Sequence, residues 1–252
     1  MAQSRNYSKS ASRALDIIEL LADSDQPMRA AEIARHLDLS RSSTDQLLKT
    51  MLGSGSLLLR PEDMTYSASP RIARIAHKLA DRCAKVDRYR TLIEEVHKRS
   101  GQIVTLTLQN DCYMQIQAFA GDFSVPLHIG MQVPLFGSTI GSAALSGKSP
   151  QSILKLLKRA RRQRLVPREN DWNGAFIDQI RAYRMKGYAW QPMRAYDNRI
   201  GRDREMWSIG MRLAASDDID SPVLGLIGPI ASVRGDEYRL INMIRQTLRL
   251  LA

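Results

Sequence analysis

The chain has 252 residues, of which 44% are hydrophobic and 25% are charged. This balance is typical of a soluble globular protein of two ordinary domains, and it excludes a largely disordered chain. No apolar run approaches the roughly 20 residues that a membrane-spanning helix needs. Because the first residues, MAQSRNYSKSAS, lack the apolar core of a signal peptide, we expect a cytoplasmic protein without membrane contact. Cys83 and Cys112 form neither a disulfide framework nor a metal-binding spacing, so no metal site or cofactor is expected.

The net charge of +11 favours an acidic partner, most simply nucleic acid. The excess is unevenly spread, since residues 1–80 carry 11 Lys/Arg and 9 Asp/Glu and therefore only +2, which leaves +9 for residues 81–252. The strongest basic run, KRARRQR at 158–164, is typical of a solvated helix face or a subunit contact, with a nucleic-acid contact as the alternative. Total charge therefore does not locate a nucleic-acid-binding surface.

Residues 10–70 have the pattern of three short helices followed by a β-hairpin. In the first helix, which DSDQP ends, the apolar residues at helical spacing are Leu15, Ile18, Leu21 and Ala22. The second helix spans 30–37, and the third follows the turn DLS with Ser40 as its N-cap. Strands SLLLR and TYSA follow, joined by the turn PEDM. Three helices and a hairpin predict a winged helix-turn-helix.

The third helix has one apolar and one polar face. The side predicted to be buried carries Leu47, Leu48, Met51 and Leu52. The other side carries Arg41, Ser42, Asp45, Gln46 and Lys49. Taken alone, such a polar stripe is as typical of a solvated helix as of a recognition helix, so both interpretations stay open at this point.

The rest of the chain predicts a long helix and then an α+β unit. Residues 71–99 are charged and helical, as suits a connecting helix. The alternating segments IVTLTL and, from Met114, MQIQA predict an antiparallel hairpin, extended by VPLHI. Helices are predicted at 139–146, 150–164 and 175–186, before strands YAWQPM, WSIGMRL and VLGLIGPI and a closing amphipathic helix. Strands at both ends with helices between them predict one central antiparallel sheet.

Motifs in both halves carry a resemblance to a known family. The N-terminal ones are SRALDIIELL, AEIARHLDLSRSSTDQLLKTM and GSLLLRPEDMTYSASPRI. The C-terminal ones are GMQVPLFGSTIGSAAL, KGYA, WSIGMRL and LGLIGPI. In their order and spacing the chain resembles the IclR family of bacterial transcription regulators over nearly its whole length.

The resemblance implies a winged helix-turn-helix DNA-binding domain at 1–70, a linker helix at 71–99 and a GAF-like effector-binding domain at 100–252. It also implies a homodimer or a dimer of dimers, hence a homotetramer, on double-stranded DNA with a palindromic operator. The implied function is a ligand-responsive transcription regulator that senses a small organic acid, with aromatic acids as one class, and controls a catabolic operon.

Several positions depart from the family pattern. Gln46 stands where the family commonly has arginine, and Asp45 where it has histidine or tyrosine. Ser138 and Thr139 replace a frequent Thr-Ala pair, Ser142 replaces a lysine, and Arg212 replaces a proline. These differences indicate that neither base contacts nor ligand can be copied from a relative.

The predicted DNA site lies at the start of the third helix, because that end of a recognition helix enters the major groove. Arg41 can bind guanine or a phosphate, Gln46 can bind adenine, and Asp45 can accept a hydrogen bond from cytosine N4. Alternatively, Asp45 only orients Arg41 and contacts no base. Residues expected at phosphates are Arg5, Lys9, Arg13, Ser42, Ser43, Thr44, Lys49 and the wing residue Arg60.

The predicted effector site combines a helix N-terminus with a strand face. PLFGSTIG places backbone N–H groups of Gly137, Ser138, Thr139 and Gly141 where they can hold a carboxylate. An N-cap with close helix packing at glycine is the alternative, and the residues alone favour it. Arg212 suits a carboxylate clamp if Ser208, Gly210 and Arg212 face the cavity; a solvated outer sheet face is the alternative. The residues predicted to complete the walls are Phe136, Trp190, Met193, Tyr196, Trp207 and Ile209.

An enzyme is the less favoured class. Cys112 and His128 are the candidate catalysts, but neither has an activating partner in the sequence, and no P-loop or dinucleotide fingerprint is present. We therefore expect no catalytic residues. A second alternative is an interaction protein whose recognition helix no longer binds DNA.

Overall fold

The computed structural model describes residues 8–121, 127–166, 174–197, 202–213 and 221–250, apart from the side chains of residues 80–88, 195–197 and 202. The chain forms two compact units, residues 1–84 and 85–252, and the boundary falls within one long helix. Within these described ranges, no helix is both long and apolar enough to cross a membrane.

The first unit is a winged helix-turn-helix, as predicted. Its elements are α1 (Lys9–Asp23), β1 (Met28–Arg29), α2 (Ala30–His36), α3 (Arg41–Gly53), β2 (Leu57–Arg60) and β3 (Thr65–Ala68). Strands β2 and β3 form the hairpin, with Leu57 opposite Ala68. The short strand β1 pairs with the other edge of β3, so the sheet order is β1-β3-β2.

One apolar cluster holds this unit together. Its buried members are Ile17, Leu21, Met28, Ile33, Leu48, Met51 and Leu57. The predicted apolar stripe of α1 is partly wrong, since Leu15 is 62% exposed and Ala22 is exposed, whereas Ile17 is fully buried. The physical reason is that α1 packs against both α3 and β3, which covers the face centred on Ile17 and Leu21, one helical turn apart.

The second unit has the predicted α+β composition. Its elements are α4 (Pro70–Ser100, which begins in the first unit), β4 (Ile103–Asn110), β5 (Tyr113–Ala120), β6 (Gln132–Pro134), α5 (Thr139–Ser146), α6 (Pro150–Arg162), α7 (Gly174–Lys186), β7 (Ala189–Asp197), β8 (Arg202–Arg212), β9 (Val223–Pro229), α8 (Ile230–Val233) and α9 (Glu237–Leu250). The strands form one antiparallel sheet in the order β6-β5-β4-β9-β8-β7. This confirms the central antiparallel sheet.

Helices cover both faces of this sheet. Leu106, Ile209 and Leu226 belong to a core that the end of α4, α8 and α9 complete. A second core contains α5, α6 and α7. Because successive strand residues point to opposite faces, the neighbours of Ile209 on β8 face α5, and the close approach of Gly210 to α5 agrees with this.

The predicted strand at VPLHI is wrong. Leu127 and His128 have no regular structure, while Val125 and Pro126 lie outside the described residues. The edge strand is instead β6, which pairs with the start of β5 through Tyr113 and Pro134. A register shift between Leu106 and Thr107 also interrupts the predicted alternation of β4. Local alternation could not show either feature, since both depend on the partner strand.

Candidate nucleic-acid interface and ligand site

The start of α3 is held by its own hydroxyl groups. Ser40 is the N-cap, and its Oγ accepts a hydrogen bond from the Ser43 N–H at 3.3 Å. The same hydroxyl donates to Ser43 Oγ at 2.9 Å. An N-cap of this kind satisfies a helix N–H that otherwise has no intrahelical partner, so it defines where α3 begins.

The exposed face of α3 carries the three side chains predicted to contact bases, Arg41, Asp45 and Gln46. Ser42 and Lys49, predicted to contact phosphates, are exposed beside them. The opposite face buries Leu48 and Met51 in the domain core. Among the described residues there is no ion pair between Arg41 and Asp45, so nothing in this geometry reserves Asp45 as an orienting partner for Arg41.

Thr44 does not belong to the candidate interface, which corrects the prediction. It is fully buried, and its Oγ1 donates to the Ser40 carbonyl oxygen at 3.1 Å. Ser43 is half-buried and bonded to Ser40, so Ser42 is the most accessible hydroxyl of the three. Thr44 therefore stabilises the first turn of α3 and cannot reach a phosphate.

The wing presents Arg60 at the end of β2. Its side chain is 59% exposed and lies 3.6 Å from Asp63 Oδ2, measured from Nη1. Thr65 Oγ1 donates to Asp63 Oδ1 at 2.7 Å. This hydrogen bond and the nearby guanidinium group of Arg60 lower the pKa of Asp63. The carboxylate thus holds Arg60 at the tip of the wing, where an arginine can meet a DNA backbone.

The remaining predicted phosphate contacts lie in and before α1. Lys9 is exposed and Arg13 is half-buried. Arg5 lies outside the described residues. The described part of the interface therefore has five cationic side chains on two helices and a wing.

At the start of α5, the predicted anion site is an N-cap with close packing. Ser138 Oγ accepts from the Gly141 N–H at 3.1 Å and donates to the Pro134 carbonyl oxygen at 2.6 Å. A Cβ on Gly141 would collide with the carbonyl oxygen of Leu135. Thr139 and Gly141 are buried, and only Gly137 of this group is exposed. These contacts account for the residue types without a ligand.

Sequence reasoning missed one residue at this turn. Gln191 on β7 donates from Nε2 to the Gly137 carbonyl oxygen at 3.1 Å. It lies opposite Ser208 in the β7–β8 ladder, on the α5 side of the sheet. The alternation of YAWQPM carried this signal, but which face β7 turns to α5 depends on its pairing with β8.

Arg212 lies at the other end of α5 and does not join Ser138. Its guanidinium group packs against Gly147, the C-cap of the helix. Eight helical residues span about 12 Å, so one small carboxylate cannot contact both ends of α5. The half-buried cation complements the helix C-terminus instead. The alternative of a solvated outer face is therefore wrong, whereas a carboxylate clamp by Arg212 stays a prediction.

The predicted ligand walls lie on opposite faces of the sheet. Phe136, Met193, Ser208 and Gly210 lie on the α5 side. Trp207 and Ile209 belong to the core formed with α4 and α9, and Trp190 on the edge strand β7 packs against both cores. The side chain of Tyr196 is outside the described ones. The set cannot form one site, because alternate residues of a strand point in opposite directions.

The arrangement of the first unit matches a known domain. Residues 10–57 match the family model described as the IclR helix-turn-helix domain. The chain carries an IclR helix-turn-helix domain. This match confirms the resemblance predicted from the sequence. The matched residues span α1 to α3 and include the exposed side chains of α3.

Similar proteins extend the IclR likeness to the second unit. The HTH-type transcriptional regulator BhcR of Paracoccus denitrificans is 25% identical over 241 residues, which are 90% of this chain and 77% of that protein. An IclR transcriptional regulator from Alicyclobacillus acidocaldarius has a TM-score of 0.60 at 16% identity, over 96% of each chain. An IclR homologue from Microbacterium hydrocarbonoxydans, complexed with 4-hydroxybenzoate, has a TM-score of 0.58 at 14% identity, over 96% of this chain and 97% of that one. The two structures establish the IclR fold for both units.

Proposed function

We propose that the protein is a DNA-binding transcription regulator whose DNA affinity responds to a small organic acid. The observation that carries the proposal is the exposed polar face of α3 within an IclR helix-turn-helix domain. A buried opposite face holds this helix on the domain, so its polar side chains are presented on a rigid element.

The chemistry of that face suits direct readout. Gln46 has the donor and acceptor that match adenine in the major groove, and Arg41 has the fork that matches guanine. Asp45 accepts from cytosine N4 and repels phosphate, so it favours one placement of the helix over others. Lys49 and Arg60 are exposed and supply phosphate contacts at the edges of this surface.

The short reach of a single recognition helix supports a symmetric assembly. One short helix reads only a few base pairs, and two copies related by a two-fold axis double the contacts on a palindromic operator. We therefore propose a homodimer or a dimer of dimers on DNA.

The ligand-responsive part rests on the second unit. Its fold is that of the homologue complexed with 4-hydroxybenzoate, and the family resemblance implies control of catabolic genes. We propose an organic acid as effector and a catabolic operon as target. Ligand binding acts through the difference in its affinity for the DNA-bound and free forms.

Fluorescence anisotropy with the protein's own upstream DNA tests the proposal, with a shuffled duplex of equal length as the control. We expect binding to upstream DNA at least about a hundredfold tighter than to shuffled DNA at the same salt. We also expect a shift in that affinity when a panel of aromatic and aliphatic acids is added. Equal binding to both duplexes would instead support an interaction protein whose recognition helix no longer reads DNA.

A further inference from the structure

A cavity of about 400 Å³ opens on the sheet face opposite α5. It lies between β7, β8 and the turn that joins α8 to α9, wholly within the second unit. The side chains that line it are Tyr188, Trp190, Trp207, Arg234, Glu237 and Tyr238. This volume is within the range of small-molecule sites.

The walls are aromatic but do not form a closed core. The rings of Tyr188 and Trp190 lie 5.6 Å apart at 49°, and Trp207 is 8% exposed. Tyr238 also lines the cavity and is 79% exposed, so its ring lies at the rim. A flat apolar ligand in the cavity can therefore stack against two or more aromatic rings.

Charges around the cavity favour an anion. Lys186 Nζ lies 4.0 Å from the centre of the Trp190 ring, and Arg234 Cζ lies 5.2 Å from that of Trp207. The carboxylate of Glu237 accepts from the Tyr188 hydroxyl at 2.7 Å. Arg234 is therefore the cation among the lining side chains, Lys186 lies against the ring of one wall, and the carboxylate of Glu237 is already hydrogen-bonded to a phenol.

One buried donor beside the cavity lacks an acceptor. The Nε1–H of Trp207 is covered and has no hydrogen-bond partner among the described residues. An indole nitrogen can only donate, and so can the guanidinium group that stacks over the same ring. An unpaired buried donor costs free energy that an acceptor would restore.

The geometry points to a binding site for an aromatic carboxylate in this cavity, separate from the start of α5. The ring of the ligand lies among Trp190, Trp207 and Tyr238. Arg234, which is exposed and able to turn aside, pairs with the carboxylate, and that group supplies the acceptor for Trp207. This deepens the ligand-sensing part of the proposed function and rests on it only for the effect on DNA.

Calorimetric titration of the full chain without DNA tests the site, with benzoate and benzamidine as probes. The two have the same ring and opposite charge. We expect benzoate to bind about tenfold or more tightly than benzamidine, because a charge-assisted hydrogen bond is lost in the amidinium compound. Silent benzoate titrations, or tighter binding of benzamidine, would overturn the assignment.

Three variants locate the binding. Arg234→Gln should weaken benzoate binding about tenfold, and Trp207→Phe, which keeps a ring but removes the N–H, about threefold. The matched control is Arg239→Gln, since Arg239 pairs with Asp236 and does not line the cavity; its benzoate affinity should be unchanged.

Benzoate binding that survives both Arg234→Gln and Trp207→Phe would place the ligand elsewhere and overturn the inference. Because no DNA is present, this failure would leave DNA recognition by α3 untouched. Conversely, equal binding to upstream and shuffled DNA in the anisotropy experiment would contradict the proposed function and leave the assignment of the cavity unaffected.

Discussion

At Gly210 the lack of a side chain allows helix α5 to lie directly on strand β8. A Cβ built there would lie 2.8 Å from the Thr139 carbonyl oxygen and 3.1 Å from Ala143 Cβ. The first of these atoms is helix backbone, which cannot turn away as a flexible side chain can.

We therefore expect Gly210→Ala to lower the free energy of unfolding by about 2 kcal/mol, the usual cost of overpacking a core. Urea unfolding followed by circular dichroism measures it. Gly174→Ala is the control, because nothing lies within 4 Å of a Cβ at the first residue of α7. If both variants unfold at the wild-type urea concentration, α5 does not pack on β8 as described.

Tyr188 illustrates how one side chain responds to its surroundings. Burial, and then the hydrogen bond to Glu237 and the charge of that carboxylate, raise its pKa to about 12. At pH 11 we expect only about a tenth of Tyr188 to be ionised, against about nine-tenths of an ordinary tyrosine. NMR of ¹³Cζ-labelled tyrosine, assigned with Tyr188→Phe, measures this fraction.

The same shift has a consequence for stability. Because the pKa is raised in the folded state, the contribution of Tyr188 is fully present below pH 10 and is lost as the pH rises towards 12. Glu237→Gln should bring the pKa of Tyr188 down, though not to 10, since burial is the largest cause. An unchanged titration in Glu237→Gln would contradict the described contact.

Among the elements, α3 depends on its N-cap. Ser40→Ala should destabilise the first unit by about 1 kcal/mol, and Ser40→Asp should retain most of the stability, since aspartate also caps helices. Thermal unfolding checks both. Ser42→Ala is the matched control, because Ser42 is exposed and the capping hydrogen bond is accepted by Ser40 instead. Equal losses in Ser40→Ala and Ser42→Ala would contradict the capping role.

Elements with local signals could be predicted from the sequence. Ser149 and Pro150 mark the start of α6, and Gly187, with a φ of +81°, follows α7. The burial of Thr44 also had a local signal, because it precedes Leu48 by one turn and so shares the buried stripe. The hydroxyl group of Thr44 instead favours an exposed position at a phosphate. Its hydrogen-bond partner, the Ser40 carbonyl oxygen, can be identified only from the structure.

The ligand site was less predictable for a physical reason. Alternation along β8 predicts that Trp207 and Ser208 point to opposite faces of the sheet. It does not predict which face packs against α5 and which against α9. Helix α9 comes more than 20 residues after β8 in the chain, so the neighbours of Trp207 depend on packing between distant elements. The sequence analysis therefore named Trp190 and Trp207 as wall residues, whereas Tyr188 and Tyr238 could be assigned to the cavity only from the fold.

At the scale of the whole molecule, the position of charge matters more than its amount. Residues 81–252 carry +9 of the net +11, much of it on α6, yet the exposed α3 face lies in the nearly neutral part. Arg159 on α6 also pairs with Asp111 at 2.6 Å within the second unit. The α6 charge therefore lies in the second unit, outside the winged-helix unit that carries the candidate interface.

Salt dependence of DNA binding distinguishes the two surfaces. Lys49→Gln should reduce the slope of log K against log salt by about 0.9 for each copy on DNA. The triple variant Lys155→Gln, Lys158→Gln, Arg162→Gln removes three exposed charges from α6 and should leave the slope unchanged. A lower slope in the triple variant would assign α6 to the DNA interface.

The specificity ratio of Gln46→Ala tests the central claim, that the exposed face of α3 discriminates between DNA sequences. The ratio compares affinity for the upstream duplex with affinity for the shuffled one at a single salt concentration. We expect Gln46→Ala to reduce it by about tenfold or more, as the loss of a bidentate base contact implies, with weak non-specific binding retained. Lys49→Gln should weaken both affinities and keep the ratio. An unchanged ratio in Gln46→Ala would contradict base readout by this side chain of α3.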